Sequence, residues 1–153
     1  MQVAIVGAGS FGTVLADIAA HNECDVRMYA RREEMVKAIN IFHHNPQYHP
    51  DLELHASIIA SSRLSAVVSG ADLVLLSVPS RSMDAICQEL AHVIDPGVPL
   101  LSTTKGIRAD GFKLMSQVLS ERLPNHPVGV LSGPNLAHEI RNTNVAKVFK
   151  NTI

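Results

Sequence analysis

The residue types best suited to bind a charged ligand stand in one short run, Gly7-Ala8-Gly9-Ser10-Phe11-Gly12. In a G-x-G-x-x-G spacing the first glycine permits a tight turn. The second leaves room for backbone N–H groups to approach a pyrophosphate, and the third lets a helix pack closely on the preceding strand. A helix opening inside the run would offer the anion unpaired N–H donors and the positive end of its dipole. The spacing alone also fits an ordinary glycine-rich turn. Its weight comes from context: apolar Val3–Val6 precedes it, and Phe11, Val14, Leu15, Ile18 and Ala19 follow at helical spacing.

Arg31 and Arg32 stand 24 and 25 residues after Gly7, where such a unit reads the adenosine ribose. Asp or Glu there would accept from a 2′-hydroxyl. A guanidinium cannot accept, but it can grip a phosphate with two donors. The pair therefore favours NADP over NAD. The rival reading is two solvated arginines at a helix start, a place mildly unfavourable to positive charge. Lys105 follows apolar Val98–Leu101 and is expected at the carboxyl edge of a sheet. Its ammonium there could donate to a reacting oxygen or to a phosphate, whereas the bland alternative is a solvated surface lysine. In Gly133-Pro134-Asn135 the proline suits a helix start, and Asn135 fits either a ligand contact or a local helix-start partner. Among the 8 histidines, His43 and His44 lack the spacing of a metal motif, so no metal is expected.

The elements that would carry these residues alternate between short apolar strands and amphipathic helices. Strands are predicted at Val3–Val6, Asp25–Ala30, Ser57–Ala60, Leu73–Leu76 (stopped by Pro79), Val98–Leu101 and Val128–Leu131. Helices are predicted from Phe11, over Arg32–Asn40 and Leu64–Val68, from Met83 to Val93, over Leu114–Leu123 and over Pro134–Arg141. Ile41–Ala56, with His43, His44, His49, His55, Pro46 and Pro50, reads as a long exposed loop. The alternation implies an α/β, doubly wound parallel sheet of the Rossmann-like dinucleotide-binding kind, with ligands at the carboxyl ends of its strands.

The motifs Gly7–Gly12, Asn45-Pro46-Gln47-Tyr48-His49-Pro50, Val78-Pro79-Ser80, Thr104-Lys105-Gly106 and Ser132-Gly133-Pro134-Asn135-Leu136-Ala137-His138-Glu139 stand in this order. As an ordered set they resemble the N-terminal domain of bacterial NAD(P)-dependent glycerol-3-phosphate dehydrogenase over about residues 1–141. The resemblance implies that Gly7, Gly9, Ser10, Phe11, Gly12, Arg31, Arg32, Tyr48, Pro79, Lys105 and Ala137 bind the cofactor. It implies that Lys105, Gly133 and Asn135 contact substrate, with Lys105 in a catalytic role. The implied reaction is reversible hydride transfer between dihydroxyacetone phosphate and sn-glycerol 3-phosphate, supplying phospholipid synthesis. His138 stands where the family usually has Lys, and residues 142–153 read as a divergent or truncated tail. The resemblance also implies an all-helical second domain, absent from these 153 residues, that carries a further catalytic lysine. The chain alone is therefore expected to bind cofactor without turnover, and a homodimeric full-length form is allowed. The alternatives are a non-catalytic NAD(P)-binding module, or the first domain of another two-domain dehydrogenase acting on a hydroxy acid or sugar nucleotide.

Bulk properties set the limits around this reading. A net charge of −1 gives no footprint for nucleic acid or a membrane surface. No stretch approaches the ~20 apolar residues of a membrane span. Met1–Gln2 lacks a basic n-region and Val3–Val6 is too short for a signal core. Cys24 and Cys87 are too few for a disulfide framework, so a reducing, cytoplasmic setting with free thiols is expected.

Overall fold

The computed structural model describes residues 1–108 and 110–131. The chain begins with strand β1 (Gln2–Val6), helix α1 (Ser10–His21), strand β2 (Asp25–Tyr29) and helix α2 (Glu33–Phe42). Next come β3 (His44–Asn45), β4 (His49–Glu53), β5 (Ile59–Ser61), α3 (Leu64–Val68), β6 (Leu73–Leu76) and α4 (Met83–Val93). Then follow β7 (Leu100–Ser102), β8 (Ile107–Arg108), β9 (Lys113–Leu114), α5 (Met115–Arg122) and β10 (Val128–Val130).

Six of these strands form one wholly parallel sheet in the order β10-β7-β6-β1-β2-β5. The chain winds outward from β1 through β2 to β5, returns to β6 on the other side of β1, and winds outward again. The direction reverses between β1 and β6, which makes their carboxyl ends the topological switch point. This is the doubly wound sheet expected from the alternating pattern.

Period-two alternation within the strands divides the core between the two faces. Val3, Ile5 and Leu75 pack with Leu15, Ala19, Met35 and Ile39 of α1 and α2. Ala4, Val6, Val74 and Leu76 pack with Leu64, Val68, Ile86, Leu90, Val118 and Leu119 of α3, α4 and α5. Strands buried on both faces need to be apolar throughout, which explains the unbroken runs Val3–Val6 and Leu73–Leu76.

Two stretches differ from expectation. Ile41–Ala56 is not a loop: α2 runs on to Phe42 and stops where His43 turns left-handed at φ 50°. Then β3 and β4 form an antiparallel hairpin with an irregular register. The hairpin forms because Leu52 and Leu54 reach the core beside α1 and α2. A second small hairpin, β8–β9, forms ahead of the predicted helix and takes up Leu114, so that α5 starts one residue later, at Met115. The expected helix Pro134–Arg141, Gly133, Asn135, Ala137 and the tail 142–153 lie outside the described residues.

Candidate dinucleotide site

Everything at the switch point is built on the glycine turn that leaves β1. Gly7 has φ +118°, and a Cβ there would collide with the Ser77 carbonyl and stand 2.9 Å from its carbon. Its N–H donates to the Tyr29 carbonyl at 3.2 Å, tying the turn to the end of β2. At Gly12 a Cβ would strike the Gly7 carbonyl oxygen and stand 3.2 Å from the Ser77 Cβ. The third glycine thus lets α1 pack on the turn and on the residue that follows β6. Gly9 differs from both. Its backbone is ordinary extended chain, φ −79° and ψ −177°, and a Cβ there would have nothing within 4 Å. The face of the turn at Gly9 is open.

Gly9 is also the N-cap of α1. No side chain caps this helix, and its first turn holds no acidic residue. Helix starts normally recruit a capping oxygen or an acidic side chain for their exposed donors. A helix start with neither, beside an open glycine, fits an external anion.

A buried polar chain fixes the turn. Asn45, fully buried, donates through Nδ2 to the Thr13 hydroxyl at 2.7 Å and to the Ala8 carbonyl at 3.1 Å. Its Oδ1 accepts from the Tyr48 N–H at 3.3 Å. Thr13 in turn donates to the Gly9 carbonyl at 2.8 Å. His49 lies against Ser10, the first residue of α1. The β3–β4 hairpin is therefore latched to the glycine turn, with exposed Tyr48 at its tip.

Arg31 and Arg32 follow β2 on this same carboxyl edge, and both are exposed. Arg32 is the N-cap of α2, and its guanidinium donates to the Gln47 side-chain oxygen at the hairpin tip. Burial pushes the Tyr29 phenol up, Glu89 adds to this, and Arg31 pulls it back. The first carboxylate after the pair, Glu33, accepts from the Ser62 hydroxyl.

Beyond β7, Thr103 donates to the Leu76 carbonyl at 3.1 Å and Thr104 to the Val78 carbonyl at 2.8 Å. The space beside Gly106, φ +107°, opens on the Ser80 side chain at 3.7 Å. These contacts bring exposed Lys105 to the segment Val78-Pro79-Ser80, at the carboxyl ends of β6 and β7. Pro79 is exposed there, and Ser10 and Phe11 are half-buried at the start of α1. So Gly7, Gly9, Ser10, Phe11, Gly12, Arg31, Arg32, Tyr48, Pro79 and Lys105 all fall on the carboxyl edge of the sheet or on the hairpin latched to it. Sequence reasoning missed Thr13, Asn45 and His49 as parts of this site. Among the described residues no group of His, Cys, Asp or Glu is placed to hold a metal ion.

The family model described as NAD-dependent glycerol-3-phosphate dehydrogenase N-terminus matches residues 2–151. An NAD(P)+ glycerol-3-phosphate dehydrogenase of Sphingopyxis alaskensis is 40% identical over 140 residues, covering 92% of this chain and 42% of that protein. One from Acinetobacter baumannii is 41% identical over 140 residues, covering 92% and 39%. The chain thus spans about two-fifths of the length of these curated relatives. The crystal structure of glycerol-3-phosphate dehydrogenase from Coxiella burnetii superimposes with a TM-score of 0.85 at 29% identity, over 92% of this chain and 43% of that one. With the sheet order, the glycine turn and the family match in agreement, this chain belongs to the family of NAD-dependent glycerol-3-phosphate dehydrogenase N-terminal domains.

Proposed function

We propose that this chain binds NADP in preference to NAD and serves the reversible interconversion of dihydroxyacetone phosphate and sn-glycerol 3-phosphate, the latter for phospholipid synthesis. The observation that carries the reading is the contrast within one turn: Gly7 and Gly12 are packed against Ser77, while Gly9 faces open space at an uncapped helix start. In this reading the pyrophosphate lies on the first turn of α1. Arg31 and Arg32 hold the 2′-phosphate, and Ser10, Phe11, Tyr48 and Pro79 line the crevice. The nicotinamide, when bound, supplies or takes up the hydride.

Lys105 is proposed as the catalytic residue of this part, donating to the substrate oxygen that gains charge. Gly133 and Asn135 are proposed as substrate contacts and Ala137 as a cofactor contact. The chain spans about two-fifths of its curated relatives' length, and in this reading the complete activity also needs what those relatives carry beyond the matched part. The reading places the protein in the cytoplasm, with a homodimeric full-length form. No helix among the described residues is long and apolar enough to cross a membrane.

The test is titration of the 153-residue chain with NADPH and NADH. The chain has no tryptophan, so the nicotinamide's own fluorescence or calorimetry is the signal. Saturable binding with NADPH tighter than NADH is expected. Binding of neither cofactor refutes the reading, and equal affinity refutes the NADP preference.

A further inference from the structure

His49 opens β4 and is half-buried against the first residue of α1. Its Nε2 lies 2.9 Å from the Ser10 carbonyl oxygen and 3.0 Å from the Ser10 hydroxyl. A carbonyl oxygen can only accept, so Nε2 carries a proton in this arrangement. The Ser10 hydroxyl oxygen is the second acceptor of that N–H. Its own hydrogen must then turn away from the imidazole, leaving the hydroxyl a donor. Ser10 adjoins Gly9, whose side-chain direction is open.

We propose that His49 is a positioning residue for the dinucleotide: by donating to Ser10 it sets the Ser10 hydroxyl as a hydrogen-bond donor toward the pyrophosphate. The inference rests on the reading that the dinucleotide lies on this turn. It is separate from the structural latch. Asn45 and Thr13, both fully buried, hold the backbone of the turn through Ala8 and Gly9. Among the described residues the ring hydrogen bonds of His49 go to Ser10, whereas the latch runs through the side chains of Asn45 and Thr13, so a change of the His49 side chain removes none of the latch's hydrogen bonds.

The experiment titrates NADPH into the 153-residue chain and into His49→Leu, His49→Gln, Ser10→Ala and the Ser10→Ala/His49→Leu double variant, with melting curves to confirm folding. His49→Leu is expected to weaken NADPH about three- to tenfold, the range of one neutral hydrogen bond. His49→Gln, whose side-chain N–H has similar reach, is expected to bind within about twofold of the parent. In the Ser10→Ala background, His49→Leu is expected to cost nothing further, because an effect transmitted through one hydroxyl vanishes with it. If His49→Leu does not fold, His49→Asn, too short to reach Ser10, takes its place with the same expected loss.

Parental affinity in the Leu variant overturns the proposal. So does a Gln variant as weak as Leu, or an equal loss with and without the Ser10 hydroxyl. No NADPH binding by the unsubstituted chain overturns the dinucleotide reading itself, and this inference with it.

Discussion

Gly9→Val separates ligand binding from folding because the two depend on different faces of the same residue. Gly9 already has an extended backbone that a β-branched residue tolerates, and its Cβ would meet no atom within 4 Å. Two small effects oppose each other in the ligand-free chain. Val is a poor N-cap, costing about 1 kcal/mol, and replacing Gly restricts the unfolded chain, contributing roughly 0.4–1 kcal/mol. Stability should therefore shift by no more than about 1 kcal/mol. The bound pyrophosphate would meet the isopropyl group and be displaced from the helix start. Loss of two charge-assisted backbone hydrogen bonds, about 1.5–3 kcal/mol each, removes roughly 3–6 kcal/mol. That corresponds to a fall in affinity of about 10²- to 10⁴-fold. NADPH and NADH should suffer alike, since the pyrophosphate is common to both. Fluorescence titration with each cofactor, paired with thermal melting, measures the two quantities. A folded Gly9→Val chain that binds NADPH within tenfold of the parent would refute the placement of the dinucleotide on this turn.

The neighbouring glycine gives the opposite result. Gly12→Ala sets a Cβ against the Gly7 carbonyl, so the fold itself should lose about 1–3 kcal/mol, seen as a lowered melting temperature in the absence of ligand. The Arg31→Ala/Arg32→Ala double variant should lose at most several kcal/mol of NADPH binding, from charged hydrogen bonds of about 1.5–3 kcal/mol each, and little NADH binding. The NADPH preference should also shrink with added salt, since both side chains are exposed, and a preference that survives removal of both arginines excludes them as its source. Cys87 is fully buried, and burial raises its thiol from 9.0 to about 11, with Asp84 adding and Arg122 opposing. Because the folded value lies above the unfolded one, its contribution to stability is complete below pH 9 and is lost as pH rises through 11, by at most about 2–3 kcal/mol. Denaturant unfolding should show a shallower alkaline decline for Cys87→Val than for the parent, and identical slopes would rule this out.

The sequence was legible where the signal was local. Val3–Val6, the glycine run and the helix after it sit side by side, so strand, turn and helix could be read together. Leu64–Val68, Leu73–Leu76 and Met83–Val93 appear at the predicted positions, because the two helices each bury one apolar face on the sheet and the strand is buried on both of its faces. The β3–β4 hairpin was not read, although Leu52 and Leu54 show the alternation of a strand. Pro46 and Pro50 argued against it, and two apolar positions beside a two-pair ladder of irregular register are too short a run to read as a strand. Among the residues proposed for the site, the glycines and Arg31, Arg32 and Lys105 were named from type and position relative to strand ends. Asn45 and His49 could not, since their partners Thr13 and Ser10 lie 32 and 39 positions away. A buried asparagine declares itself only when the groups that satisfy it are in place.

The hairpin adds one of three ties that hold the turn. A pyrophosphate-binding loop that had to organise itself around its ligand would lose about 1–2 kcal/mol of conformational entropy for each residue it ordered. Here Gly7 is tied to Tyr29, Ala8 to Asn45, and Gly9 to Thr13 before any ligand arrives. For three residues the saving is about 3–6 kcal/mol, comparable to the whole contribution of two charged hydrogen bonds to the anion. The three ties come from β2, β3 and α1, which puts fixing of the proposed anion site on the folded domain rather than on the binding event. Substitutions that loosen Asn45 or Thr13 should therefore weaken every dinucleotide by a similar factor, whereas those at Arg31 and Arg32 should sort one dinucleotide from another.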